Sequence, residues 1–335
     1  MSTAYVETDY AWVRLHSERL RVYSPKDDDP SDDLLQEIPM LELERLCLRE
    51  HVQITTEALC ALLRRGVTVH YLDWKGDCLG ATVPPPGEQS ATRLRQYERT
   101  KEDAFVLQHA GLLVEAKIRN QLRLLQRVNA HHAKAAAEEL DELTRLAAVA
   151  TRPSDLGALL GIEGAAAALH YRIWERFLPE GFPFEKRSTR PPANAVNACL
   201  SFASTLVYHD LVAALHLRGL DPGLGLLHAT QDGRWSLALD LMEPFRPALC
   251  DALTLRLLSH RILQPDEFEP HEGGVYLAES GRRDLIAHYE RRLDRSFYSE
   301  PAGHRTTLRQ AFVDEVLSLK AAINGTGEFK PFRLN

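Results

Sequence analysis

Between Gly223 and Pro247 the sequence reads GLGLLHATQDGRWSLALDLMEPFRP, which sets one imidazole and two carboxylates into apolar text. His228 follows Leu226 and Leu227, and Asp240 lies between Leu239 and Leu241. Glu243 comes three residues later, a spacing that lets both acids share one helix face. Ionisable groups among apolar neighbours are costly unless paired, hydrogen-bonded or metal-bound. A further acid, Glu163, stands in LLGIEGAAAALHY, where small neighbours permit the close approach of a ligand or another helix. Each residue also has a plainer reading. Glu163 suits the first turn of a helix, His228 a satisfied core or loop histidine, and Glu243 a helix pair with Arg246. Taken together, two or three carboxylates with one imidazole make a hard, mostly oxygen donor set for Mg²⁺ or Mn²⁺, the imidazole suiting Mn²⁺. No cysteine or second histidine joins the group, which argues against structural zinc. An ion so held activates water or a hydroxyl and stabilises charge on a transferring phosphoryl group, which is phosphodiester chemistry.

Basic residues are spaced to serve a phosphate substrate. Lys186, Arg187 and Arg190 lie in EKRSTRPP, between the Glu163 and His228 segments. Arg119, Arg123 and Arg127 recur every four residues and form one helix stripe, and Arg282, Arg283, Arg291, Arg292 and Arg295 follow later. Singly these are solvated faces; jointly they line a basic groove. The formal net charge of -7 excludes a uniformly basic surface but not such a groove.

The elements that must position these groups divide into two kinds of text. AYVET, AWVRLH and RLRVYS read as short strands, and QITTEALCALLRRG as a helix capped by Thr55 or Thr56 and stopped at Gly66. VTVHYLDWKGDCLG reads as a hairpin turning at Lys75-Gly76, and the acidic stretch from Ser24 to Asp33 as a solvated loop. PPPGEQS cannot continue a helix or a central strand. Beyond it the spacing predicts helices almost throughout. The expected fold class is α+β, with an N-terminal β-domain over residues 1–83, a Pro-rich linker at 84–90 and a larger all-α catalytic domain over 91–335.

With 335 residues the chain can bury two sizeable cores, and 44% hydrophobic with 26% charged residues is ordinary for a soluble globular protein. Five widely spaced cysteines, none in CxxC, read as free thiols of a reducing compartment. The first residues lack a signal-peptide pattern, and no run of about 18 apolar residues spans a membrane, so the expected location is cytoplasmic. GLDPGLG fits neither GxGxxG nor the Walker pattern, which leaves a nucleotide-type small-molecule enzyme without support.

Several motifs in order resemble one family, CRISPR-associated protein one, the integrase subunit of CRISPR adaptation. They are AYVETDYAWVRLHSERLRVYS, VQITTEALCALLRRGVTVHYLDWKGDCLG, LGIEGAAAALHY, RPPANAVNACLSFASTLVY, GLDPGLGLLH, SLALDLMEPFRP, HEGGVYLAESGRRDLIAHYERRL and the late FKPF. The resemblance implies that Glu163, His228 and Glu243 are catalytic metal ligands, with Asp240 a support or alternate ligand. It implies that Arg190, Arg246, Asn194 and Asn197 order the site or contact DNA. It also implies joining of 3′-hydroxyl ends of captured DNA to a CRISPR array, a homodimer, and assembly with CRISPR-associated protein two. REHVQ, residues 49–53, departs from the glycine the family often places before VQITT, and bears on a turn away from the site. A stand-alone nuclease on branched DNA and a non-catalytic DNA-binding scaffold remain as alternatives.

Overall fold

The computed structural model describes residues 2–24, 33–76, 78–84, 89–132, 134–299 and 303–334. The acidic loop at 25–32 and most of the Pro-rich stretch, 85–88, lie outside the described residues. The chain divides into two compact units, Met1–Glu88 and Gln89–Asn335.

The first unit holds β1 (Ser2–Val6), β2 (Trp12–His16), β3 (Arg19–Ser24), β4 (Asp33–Pro39), β5 (Leu43–Arg49), β6 (Gln53–Ile54), α1 (Thr56–Arg64), β7 (Thr68–Leu72) and β8 (Cys78–Thr82). They form two four-stranded sheets, ordered β1-β5-β7-β8 and β4-β3-β2-β6. In the first, β1, β5 and β7 run parallel, pairing Val6 with Leu48 and Leu48 with Tyr71, and β8 closes the edge antiparallel. Val13, Leu20, Leu46, Leu48, Leu62 and Val69 are fully buried between the sheets and α1. Thr55 caps α1 by accepting from the Ala58 amide at 3.3 Å, and Gly66 takes the left-handed conformation that ends it (φ 77°). The β7–β8 turn closes through Gly76 N–H to Asp73 O at 3.0 Å, with Gly76 at φ 87°.

The second unit begins with α2 (Ser90–Arg99), whose first residue is the last of the span read as linker. There follow α3 (Asp103–His132), α4 (Ala137–Ala150), α5 (Leu156–Trp174), α6 (Ala195–Leu217), α7 (Ser236–Met242), α8 (Ala252–Ser259), β9 (Phe268–His271), β10 (Gly274–Leu277), α9 (Glu279–Leu293), β11 (Phe297–Ser299), β12 (His304–Thr306) and α10 (Leu308–Asn324). The all-α expectation is therefore corrected: β9–β10 and β11–β12 are two antiparallel hairpins. The first turns at Glu272-Gly273, both at positive φ (45° and 77°), the geometry that matches the twist of a two-residue hairpin. Helical periodicity dominated the surrounding text, and four-residue strands carry too little alternation to stand out against it.

Two elements set the site. α3 packs against α4, α5 and the segment after α7, burying Ala110, Leu113, Val114, Ile118 and Leu125. α6 is apolar and long enough to cross a membrane by composition (mean hydropathy 1.4), yet 78% of that window is buried inside the unit, the arrangement of a core helix. After Met242 the helical ladder is rerouted. Pro244 and Pro247 lack the N–H groups an α-helix needs there, so Glu243–Phe245 forms a 3₁₀ turn and Pro247–Asp251 a π turn before α8 resumes.

Candidate active site

Lys117, on the buried face of α3, is only 8% exposed. Its ammonium contacts Glu163 Oε1 from α5 and Glu243 Oε2 from the turn after α7. Three separate elements thus meet at one cation. Oε2 of Glu243 pairs directly with the Lys117 ammonium. The other oxygen accepts from Arg246 Nη1 at 3.1 Å. Burial alone would raise the Glu243 carboxyl, but Lys117 and Arg246 outweigh it and hold the group down at about 2. Burial likewise disfavours the Lys117 charge, and Glu243 and Glu163 reverse that, leaving its value raised. Glu243 and the ammonium keep one another ionised.

His228 and Asp240 form the second half. Asp240 is fully buried and both its oxygens are taken. Oδ2 accepts from the backbone N–H of Leu226 and, at 2.9 Å, of Leu227; Oδ1 accepts from His228 N–H at 2.9 Å and faces His228 Nδ1 at 2.6 Å. Asp240 is therefore a clamp on the 226–228 loop and the imidazole, and it does not join Glu243 at Lys117 despite their three-residue spacing. The hydrogen bond to Asp240 raises the His228 pKa against the opposing effect of burial; Glu243 adds to the rise and Lys117 opposes it. His228 thus stands within electrostatic reach of both. Gly225 is required by the same turn, since a Cβ there would meet His228 O at 2.1 Å and Ser236 Cβ at 2.8 Å.

Other residues singled out from the sequence are placed as follows. Arg246 is turned inward on Glu243, and burial opposed by Glu243, Tyr171 and Asp251 leaves it firmly charged. Beneath it, buried His170 Nε2 meets Asp251 Oδ2 at 3.0 Å. Arg187 donates to Asn197 Oδ1 and Ser201 Oγ, both at 3.1 Å. Asn197 is fully buried; it accepts from Ser188 N–H at 2.9 Å and donates to Lys186 O at 3.0 Å, so it knots the basic loop to α6. Asn194 caps α6 by accepting from Asn197 N–H at 2.9 Å. Lys186 and Arg190 are exposed. Arg119 is paired with Glu115, which also holds Arg333, and Arg123 is exposed. Arg123 and Arg127 of α3 form one basic patch with Arg256, Arg292 and Arg295. Burial and the neighbouring Arg256, Arg295 and Arg127 pull the Arg292 guanidinium down to about 10. Arg283 is tied to Glu279 at 3.0 Å, and Arg282 donates to Leu277 O at 2.9 Å.

Lys117, Glu115 and Asn120 were missed from the sequence. Their signal is VEAKIRN, charges and an amide on the buried side of an amphipathic helix between Val114 and Ile118. Among the described residues no three His, Cys, Asp or Glu side chains stand close enough together to share a metal as they are. The donor chemistry nonetheless fits a hard divalent cation. Two carboxylates already face one positive charge, and an imidazole engaged at Nδ1 keeps Nε2 for a ligand bond, the usual carboxylate–histidine arrangement.

The chain is similar to several known proteins. Residues 4–291 match the family model described as CRISPR associated protein Cas1. A CRISPR-associated endonuclease Cas1 of Thermus thermophilus is 32% identical over 90% of this chain and 89% of its own length. A CRISPR-associated exonuclease Cas4/endonuclease Cas1 fusion of Rhodospirillum rubrum is 37% identical over 85% of this chain, which spans only 50% of that relative. Among solved structures, a casposase bound to integration product superposes with a TM-score of 0.85 at 19% identity, covering 100% of this chain and 96% of that one. A chain of a Cas6-RT-Cas1–Cas2 complex gives 0.82 at 24%, over 100% of this chain and 36% of that one. At these identities the two structures establish the shared fold.

Two outcomes are expected from the geometry. In EDTA, Lys117→Met leaves buried Glu243 with Arg246 alone and half-buried Glu163 without its cation, and costs about 3 kcal/mol in urea denaturation, with Lys117→Met/Glu243→Gln regaining part of it. Asp240→Asn lowers the His228 pKa in a metal-free NMR titration, because the hydrogen bond that raises it is lost. The stability lent by protonated His228 against Asp240 is full below the ordinary imidazole value of 6.5 and fades as pH rises through the raised value.

Proposed function

The chain belongs to the CRISPR-associated Cas1 family, and from that premise we propose that its second unit is a divalent-metal-dependent DNA endonuclease and integrase of CRISPR adaptation. One observation carries the reading: two carboxylates from different helices converge on a single cation beside an imidazole oriented by a buried aspartate. Glu163, Glu243 and Nε2 of His228 are the groups that hold Mg²⁺ or Mn²⁺. An ion bound there would stabilise the charge that gathers on a phosphodiester in transfer and favour the deprotonated nucleophile.

The chain's own residues prepare that chemistry. Asp240 fixes the imidazole with Nδ1 toward itself, which sets both the tautomer and the ring plane. Arg246 fixes one oxygen of Glu243 and keeps the acid ionised. Lys117 holds the two carboxylates at one positive charge, the position a bound cation would take over. In the transfer itself the 3′-hydroxyl of a captured fragment loses its proton and forms a new P–O bond. The 3′-oxygen of the target strand leaves and takes up a proton. Water in place of the hydroxyl gives hydrolysis instead.

The exposed Lys186 and Arg190, and the patch around Arg292, suit the backbones of double-stranded fragments, branched intermediates and the CRISPR repeat. We assign the first unit to homodimer formation and the whole chain to assembly with CRISPR-associated protein two, both on the family resemblance. The five free thiols suit a cytoplasmic location.

The test is a branched DNA with a free 3′-hydroxyl, incubated with Mn²⁺, Mg²⁺ or EDTA. Strand joining is expected only with metal. It should fall by more than about 100-fold in Glu163→Gln, His228→Ala and Glu243→Gln, since changes one shell further out already cost 10–100-fold. Cutting without joining would favour a stand-alone nuclease. Tight DNA binding without any reaction, unchanged in all three variants, would favour a scaffold.

A further inference from the structure

The segment 328–334, EFKPFRL, follows α10 and lies beyond the residues that match the family model. It is built into the second unit. Phe329 and Phe332 are buried. The Phe332 ring stacks on Phe245 at 4.5 Å and 6° between planes, and its N–H donates to the buried Glu315 at 3.0 Å. Phe245 and Pro244 belong to the same 3₁₀ turn as Glu243.

Asn120 connects this strap to the site. It lies on α3, three residues after Lys117, and is 1% exposed. Its Nδ2 donates to Pro244 O at 2.7 Å and to Phe332 O at 3.0 Å, while its Oδ1 accepts from Leu334 N–H at 2.8 Å. That last bond fixes the direction of the amide. With Leu334 N–H against Oδ1, Nδ2 must face the two carbonyls. Without it, a flipped amide would set oxygen against oxygen beside Pro244, leaving a buried carbonyl without a donor at the residue after Glu243.

α3 therefore grips the turn twice, by the Glu243 side chain through Lys117 and by its backbone through Asn120, and the second grip is complete only with the strap in place. We propose that Asn120 and the strap Phe332–Leu334 are positioning elements of the active site, holding the Glu243 turn at the distance from Glu163 that one cation requires. Neither touches the reacting atoms. The strap acts through Asn120 and Phe245 on the backbone that carries Glu243. This rests on the reading of Glu243 as a metal-holding residue.

The experiment compares the full chain with Asn120→Asp, Phe332→Ala and Phe332→Leu. Mn²⁺ affinity is read by EPR titration and kcat and KM from strand joining, with melting curves reporting the fold. Asn120→Asp keeps the shape and the acceptor for Leu334 but loses both donors. We expect Asn120→Asp and Phe332→Ala to weaken Mn²⁺ binding and lower kcat by about tenfold each, the range for groups that orient a metal ligand, with KM for DNA within about twofold. Phe332→Leu, which refills the apolar space, should regain most of both. If Phe332→Ala does not fold, Asn120→Asp and Phe332→Leu carry the comparison. Folded Asn120→Asp with the parent's Mn²⁺ affinity and kcat would overturn the proposal, as would a rise in KM alone, which would put the strap on the DNA instead. A parent chain that neither binds Mn²⁺ nor joins strands would remove the reading of Glu243 and this proposal with it.

Discussion

A buried carboxylate and a half-buried one must share a positive charge, and the second unit is arranged around that requirement. Glu163 and Glu243 come from elements far apart in sequence and meet at the Lys117 ammonium. Like charges this close and this buried repel strongly unless a cation sits between them. Lys117 answers that cost in the free protein, and under the proposed function a divalent ion, with its charge and oxygen preference, would do so in its place. The same constraint explains why Arg246 turns inward on Glu243 instead of outward to a phosphate, and why the helix ends where it does. Two prolines in four residues convert regular helix into a turn that delivers Glu243 to α3.

The imidazole is held on different terms. Asp240 gathers three backbone N–H groups and His228 Nδ1, so a buried charge is satisfied by an ordered loop and the loop is ordered by the charge. The Gly225 turn brings that backbone close enough to be gathered. The Asn197 knot does the equivalent for the basic loop at 186–188. His228 and the basic loop thus each stand on a buried polar group with its hydrogen bonds met, Asp240 and Asn197, the condition for holding geometry without strain.

Much of this was legible in the residues. The strands of the first unit, the Thr55 cap, the Gly66 stop and the Gly76 turn follow from alternation and from which residues accept positive φ. His228, Asp240, Glu243 and Glu163 stood out because charge in apolar text needs an explanation. Lys117 did not, because a lysine within a charged amphipathic helix reads as solvated until the helix is known to be buried on that face. The division of labour between Asp240 and Glu243 was also hidden. Their spacing puts them on one helix face, and only their partners in the fold separate them, the 226–228 loop for Asp240 and Lys117 for Glu243. The two hairpins were lost to the helical periodicity on either side. Asn120 and Phe332 are far apart in sequence, so nothing local links either to Glu243.

Whether Glu163, Glu243 and His228 share one divalent ion, as proposed, is tested most directly by pulsed EPR of Mn²⁺ bound to the chain in the absence of DNA. One tight Mn²⁺ per chain is expected, with coupling to a single imidazole nitrogen. That coupling should disappear in His228→Ala, and the binding itself should be lost in Glu163→Gln. Mn²⁺ bound with the same nitrogen coupling in His228→Ala, or with parent affinity in Glu163→Gln, would contradict it.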